Sequence, residues 1–410
     1  MALLITNIKQ LVQVEDRAKK WVSGSQMNVL PCIENAYLYI KNERIEDFGP
    51  MENCPNIDAE IINASGKMVF PCWADSHTHI VFAGSRETEF EDRISGLTYE
   101  QIAERGGGIL NSAKRLQQTS ETDLYEQAMV RVKEVISMGT GAVEIKSGYG
   151  LTPEAEMKML RVAKQIAKNT NLVVKTTFLG AHAFPMEYRK NKQAYIDLVC
   201  NTMMPMVAKE GLADYCDAFC EKGFFEAEQV DYIMKKGAEH GMRAKVHANQ
   251  LSFSGGVQVG VVNNAISVDH LECMGEAEIN ALKNSDTMAT LLPSASFFLD
   301  VHYPPARMLI DAGLPVALAT DFNPGSSPSG NIPLLLGMSC VKMKMSPNET
   351  INAATINSSY AMEIEKDFGS ICKGKYASVF ITKPIPSTAF MPYMFGSNLV
   401  ETVILKGEVQ

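Results

Sequence analysis

No Cys-x-x-Cys pair occurs in this chain, although it carries nine cysteines. Cys32, Cys54, Cys72, Cys200, Cys216, Cys220, Cys273, Cys340 and Cys372 are odd in number and scattered, and the closest pair, Cys216 and Cys220, has no zinc-knuckle partners. That pattern argues against a disulfide framework and a cysteine-built metal module, and for reduced thiols in a cytoplasmic protein. No apolar run reaches the roughly 18 residues a membrane span requires. The first seven residues lack the basic start and extended apolar stretch of a secretory leader. Positive charge is also short, with 38 Lys and Arg against 47 Asp and Glu and a formal net charge of −9. A nucleic-acid or anionic-membrane partner would need a basic surface, so neither is expected. A small acid could still bind at a local arginine. Repeats and low-complexity segments are absent, and the 46% hydrophobic fraction is that of a soluble globular chain.

At 410 residues the chain can build one large domain and a small one. Its two ends read as β-structure. Residues 36–40 alternate, 41–44 can turn and 45–49 return, while 377–382 and 399–405 repeat the pattern near the C-terminus. Residues 1–66 and 372–410 are therefore expected to form one composite β-sandwich domain beside a larger domain of residues 67–371. In the middle, helical periodicity covers 121–138, 153–168, 193–209 and 226–240. Short β-prone runs fall at 68–79, 142–147, 173–182, 215–221, 244–250, 266–272, 288–294 and 316–323. Eight strands with mostly helical connections predict an α/β fold, a (β/α)8 TIM barrel rather than an open sheet.

In such a barrel, reactive groups gather where strands end and βα loops begin. His77 and His79 close the first run and, two apart in a strand, share a face. His182 closes the third, His247 lies in the fifth, His270 closes the sixth and Asp321 the eighth. Five of the seven histidines thus fall at strand C-termini. Taken alone, His182 reads as a hydrogen-bonded, partly buried imidazole; His240 and His302 read as non-catalytic. The set His77, His79, His247 and Asp321 reads as a metal site. Three imidazoles and a carboxylate suit zinc, and also accommodate iron or manganese. A bound metal lowers the pKa of its water from 15.7 toward ~7, and Asp321 can both bind the ion and take a proton from that water.

Those residues, with the stretches Phe82-Ala83-Gly84-Ser85-Arg86, Glu144-Ile145-Lys146-Ser147-Gly148-Tyr149-Gly150, Phe178-Leu179-Gly180-Ala181-His182, Asp269-His270-Leu271-Glu272 and Thr320-Asp321-Phe322-Asn323-Pro324-Gly325, resemble the amidohydrolase superfamily over nearly the whole chain. The resemblance implies hydrolysis of the ring amide of 4-imidazolone-5-propanoate to N-formimidoyl-L-glutamate at one divalent metal ion, zinc first and iron second, in a homodimer. It assigns Arg86, Tyr149 and His182 to substrate binding, with Asn323, Gly325 and Ser326 lining the same pocket. Arg86 offers a planar fork to the propanoate, Tyr149 and His182 can donate to carboxylate or ring oxygen, and Asn323 with the Gly325 backbone can bond polar ring or product groups. On residue type alone, the blander alternatives are a surface ion pair for Arg86 and a packed core position for Tyr149.

Gln250 stands where part of the superfamily has a glutamate considered a base. A glutamine can orient water or bond a ring N–H but cannot take a proton. Proton transfer then falls to Asp321 or His270, with His270 polarising the attacked group or orienting the water. Lys222 follows the fourth run in what reads as a loop, so a lysine-bridged second metal is not expected. The glycines at 106–108 lack a following Gly-Lys-Ser/Thr and read as a flexible loop, a candidate lid, rather than a phosphate cradle. Two rivals stand beside this reading: another cyclic amidohydrolase or heterocycle deaminase, and a barrel that has lost its chemistry.

Overall fold

A computed structural model describes residues 2–97 and 107–410. The glycine-rich stretch straddles that boundary: residues 105 and 106 lie outside the described residues, and the lid reading with them.

The alternating N-terminal segment becomes β1 (Ala2–Val12), β2 (Cys32–Lys41) and β3 (Arg44–Pro50), followed by β4 (Glu60–Asn63) and β5 (Met68–Pro71). The β2–β3 hairpin turns at Asn42, whose φ of 56° is one that asparagine tolerates. Eight strands follow: β6 (Trp73–Thr78), β7 (Thr140–Lys146), β8 (Val173–Ala181), β9 (Tyr215–Cys220), β10 (Arg243–Ala248), β11 (Ser267–His270), β12 (Met288–Leu291) and β13 (Val316–Leu318). They pair in chain order, all parallel, with helices in the connections. The chain then returns as β14 (Val379–Thr382), β15 (Val400–Leu405) and β16 (Glu408–Val409). These three join β1 to β5 in one connected sheet, ordered β16-β15-β14-β5-β1-β2-β3 with β4 against β1. Its own apolar core includes Ile5, Ile8, Leu11, Leu38, Val69 and Val379. The architecture is the expected barrel, with a second sheet drawn from both chain ends.

Two local expectations need correction. The run 68–79 is not one strand. Met68–Pro71 pairs with β1 and β14, and only Trp73–Thr78 enters the barrel. The handover is visible in consecutive amides: Cys72 N–H donates to Ser378 O (3.0 Å) and Trp73 N–H to Gly139 O (2.9 Å). Both halves are fully buried, so no change of polarity marks the break. The helix expected over 193–209 is interrupted, running as Lys192–Leu198, a π-turn at Val199–Met203, and Met204–Glu210. Pro205 has no N–H to give back along the helix, and the turn widens just before it.

The barrel closes between β6 and the chain just past β13. Asp321 N–H donates to His77 O (2.9 Å), and His79 N–H to Phe322 O (3.0 Å). Asp75 accepts from both Thr320 N–H (3.0 Å) and Thr320 Oγ1 (2.6 Å). Burial pushes the Asp75 carboxyl up to about 7, against the opposing pull of the Thr320 bonds. Asp75→Ala would leave two buried donors unpaired at the seam, and should cost about 2–4 kcal/mol of stability in urea denaturation. A loss below about 0.5 kcal/mol would show that closure does not depend on this carboxylate.

Candidate metal centre and active site

Strand register brings the candidate ligands together. His77 lies in β6, His79 just past its end and His247 in β10, and each offers a ligand atom within 4.8 Å of the others. Asp321 Oδ1 stands 3.5 Å from Nε2 of both His77 and His79. All four side chains are buried. The outer nitrogens are oriented by acceptors: His77 Nδ1 is 2.6 Å from Asp269 Oδ2, His247 Nδ1 is 2.9 Å from Asp217 Oδ2, and His79 Nδ1 is 3.4 Å from Ser147 O. Among the described residues, His77 Nε2 and both ring nitrogens of His247 are buried without a hydrogen-bond partner, the contact of His247 Nδ1 with Asp217 being one of ion-pair distance only. Buried polar atoms are ordinarily satisfied, so converging orphan lone pairs fit a cation. Burial first, then the neighbouring cations and imidazoles, holds His77 and His79 well below the usual histidine range. Neutral imidazoles are the form a metal binds.

Beneath this layer lies a charge cluster that the sequence reading did not assign. Lys146 Nζ donates to Glu144 Oε1 (2.6 Å) and Asp217 Oδ2 (2.8 Å) and stands 3.6 Å from Asp269 Oδ2. Lys245 Nζ pairs with Glu144 Oε2 and donates to Ser76 O (3.2 Å). All five side chains are fully buried. Burial opposes the charge on Lys146, but Asp217, Glu144 and Asp269 outweigh it and raise its pKa. Burial likewise opposes the Asp217 anion, yet His247 and Lys146 bring its pKa well down. The available signal was charge at alternate positions of otherwise apolar strands, Glu144 with Lys146 and Lys245 with His247, where period two puts both on the inner face.

The substrate-binding candidates gather at the same strand ends. The His182 ring stacks on His79 (5.3 Å, 13°), with Nδ1 3.0 Å from Gly148 O. Tyr149 sets its ring edge-on to His79 (5.5 Å) and His182 (5.4 Å). It is therefore not a remote core aromatic, and burial raises its phenol pKa. Arg86 is no surface ion pair. Its Nε donates to Ser112 Oγ (2.7 Å), Nη1 is 3.8 Å from Glu89 Oε2, and Nη2 is buried without a hydrogen-bond partner among the described residues. A Cβ on Gly325 would lie 2.3 Å from Arg86 Nη1, so that glycine makes room for the guanidinium. Asn323 is spent internally: Nδ2 donates to Asp321 O (2.6 Å) and Ser326 Oγ (2.7 Å), and Oδ1 accepts from Gly325 N (2.8 Å) and Ser326 N (2.8 Å). Ser326 Oγ in turn donates to Asp321 Oδ2 (3.1 Å).

His270 has a left-handed φ of 86° and Asp321 one of 54°, conformations that non-glycine residues hold only under constraint. His270 Nδ1 is 3.7 Å from Glu272 Oε1. Burial pulls the His270 pKa down, but Glu272 outweighs it and the net shift is upward. Gln250 is buried, and Glu221 anchors the loop after it by accepting from Leu251 N (2.9 Å) and Ser252 N (3.3 Å). Lys222 is exposed, in a turn past β9. His240 caps the helix Ala227–Glu239, and His302 Nε2 lies 2.9 Å from Glu272 O. None of these three joins the ligand cluster. Glu156, also unassigned from sequence, shapes the Tyr149 loop by accepting from Gly148 N (2.9 Å), Gly150 N (2.8 Å) and Leu151 N (2.8 Å).

Residues 68–409 match the amidohydrolase family. Over 410 residues, with both chains covered in full, the protein is 57% identical to the imidazolonepropionase of Christiangramia forsetii and 57% identical to that of Flavobacterium johnsoniae. Among solved structures, the guanine deaminase of E. coli superposes with a TM-score of 0.76 at 13% identity, covering 100% of this chain and 98% of that one. At that identity the likeness speaks for the fold alone.

Burial, followed by the charge of His247, pushes His182 down to about 3 against an unperturbed 6.5. A depressed pKa contributes stability that is complete above pH 6.5 and is lost progressively as the pH falls toward 3. In metal-free protein, the stability of wild type relative to His182→Gln should therefore shrink by up to about 1 kcal/mol between neutrality and mild acid, discounted for the ring's partial exposure. Denaturation curves showing a constant or growing difference would contradict the assigned neutral ring.

Proposed function

We propose a reaction for this chain on the premise that it belongs to the amidohydrolase family and, within it, to the imidazolonepropionases. It hydrolyses the ring amide C–N bond of 4-imidazolone-5-propanoate, releasing N-formimidoyl-L-glutamate in histidine degradation. The end-to-end identity with imidazolonepropionases carries this reading. The buried, unpaired Nη2 of Arg86 supports it, because a free guanidinium nitrogen calls for an anionic partner such as the propanoate. A purine deaminase on the same fold would have no carboxylate to offer there.

His77, His79, His247 and Asp321 would hold one divalent ion, zinc first and iron second, as an imidazole and carboxylate donor set allows. When bound, such an ion polarises a water and lowers its pKa toward ~7. The remaining work belongs to side chains. Asp321 turns Oδ1 toward the ligand imidazoles while Oδ2 accepts from Ser326. Burial raises its carboxyl pKa, tempered by His270 and His247, which suits a group that takes a proton from water and delivers it to the departing ring nitrogen. His270, kept protonable by Glu272, can donate to the oxygen that gains charge at the ring carbonyl. Gln250, uncharged, orients water or a ring N–H.

His182 acquires a narrower role than residue type suggests. Gly148 O can only accept, so Nδ1 carries the proton and the neutral ring leaves Nε2 as an acceptor for a ring N–H. Tyr149, held as the phenol, supplies the donor. Asn323 acts by fixing the loop that presents Gly325 and Ser326. Residues 1–66 and 372–410 as one domain, which β5 joins, with the barrel running from Trp73 to residue 371, a cytoplasmic location and a homodimer complete the proposal. No helix among the described residues is long and apolar enough to cross a membrane, and all nine cysteines are free. Light scattering tests the dimer.

The central test is an ultraviolet assay of imidazolone propanoate loss on protein of measured metal content; intact substrate with stoichiometric metal would sink the assignment. Asp321→Asn should abolish turnover while Gln250→Ala retains measurable activity, and equally dead variants would refute this division of roles. Gly325→Ala, by displacing the Arg86 guanidinium, should raise KM on the order of ten-fold, as expected when a charged hydrogen bond to substrate is impaired.

A further inference from the structure

We propose that the cavity beside the metal centre, bordered by Ala183, Phe184, Arg189, Lys192 and Phe224, is a docking site for the alkyl carboxylate of the incoming substrate, with Arg189 as its anion-binding group. The inference rests on the reaction proposed above and names a step that precedes it.

The cavity has a volume of about 350 Å³ and adjoins the catalytic residues through its walls. Ala183 directly follows His182. Phe224 lies 4.6 Å from Phe219, whose own ring is 6.3 Å from His182 and 6.1 Å from His247. One aromatic ring therefore separates this space from a metal-ligand candidate. The lining also includes Gly108, whose N–H donates to Glu89 Oε1 (2.9 Å), and Glu89 Oε2 is 3.8 Å from Arg86 Nη1.

Two cations border the cavity, and they differ in availability. Lys192 Nζ donates to the carbonyls of Gly223 (3.1 Å) and Phe224 (3.4 Å) and stands 4.8 Å over the Phe184 ring, so its charge is committed to the wall. Arg189 is exposed and makes no side-chain hydrogen bond or ion pair with the described residues. The chain carries a net charge of −9, which opposes the approach of any small anion. A free guanidinium on a partly apolar cavity counters that repulsion locally, because low-dielectric walls focus its field. Phe184, Phe224 and Ala183 suit the methylenes that carry the carboxylate. A carboxylate docked at Arg189 stands at a cavity whose lining is tied, through Gly108 and Glu89, to Arg86.

The test compares steady-state kinetics of wild type, Arg189→Gln and Arg189→Lys on imidazolone propanoate at low and high ionic strength. Arg189→Gln should lower kcat/KM about three-fold at low salt, acting through KM, with a flatter salt dependence than wild type; Arg189→Lys should keep the wild-type salt dependence. Wild-type kcat/KM and salt slope in Arg189→Gln would overturn the inference while leaving the reaction standing. Equal losses in both variants would overturn it too, by making shape rather than charge the cause. A wild-type protein that leaves imidazolone propanoate intact removes the proposed reaction, and the docking step with it.

Discussion

The pairing of Lys146 with three carboxylates inside the barrel is the constraint on which the active centre depends. Glu144, Asp217 and Asp269 would each be costly to bury alone, and Lys146 and Lys245 are what make their burial tolerable. Two of those carboxylates orient His77 and His247. The lysine that compensates the charge therefore also ties together the supports of two ligand candidates on strands β6 and β10. Two lysines thus stand against three carboxylates in this cluster, and the surplus of acidic groups lies beside the candidate ligands.

Closure of the barrel imposes the second constraint. Asp321 and His77 share a backbone hydrogen bond across the seam, so a ligand candidate from the last strand is registered against one from the first by the sheet itself. Asp321 takes its left-handed φ directly at this seam bond, and His270 adopts the same sparsely populated conformation at the end of β11. Ser326 and Asn323 then hold the segment after Asp321 in place, which ties one carboxylate oxygen to the loop and leaves the other toward the imidazoles.

Much of this was legible in the sequence, and the reasons differ by residue. The barrel announced itself because strand and helix periodicities alternate, and because His77, His79, His247, His270 and Asp321 fall where parallel strands end. Arg86 was legible as a motif but not as an isolated residue: only packing distinguishes a guanidinium with a buried, unpaired nitrogen from one on the surface. The supporting layer was hidden for a different reason. Glu144, Lys146 and Asp217 look like ordinary charges until register places them opposite one another, and no local pattern encodes which strands are neighbours. Asn323 shows the same limit, since no local pattern reveals that its amide also bonds within its own loop.

The split at Cys72 ties the centre to the order in which the chain is made. β5 and the first ligand strand are nearly continuous, and β5 is flanked by β1 and by β14, whose residues Val379–Thr382 come more than 300 positions later. Pairings of such separation form slowly and late. A ribosome-bound chain short of β14 would hold every imidazole discussed above and still lack the strand that pins the base of His77 and His79. The sheet that anchors the first ligand candidates is thereby completed only when the two ends of the chain meet.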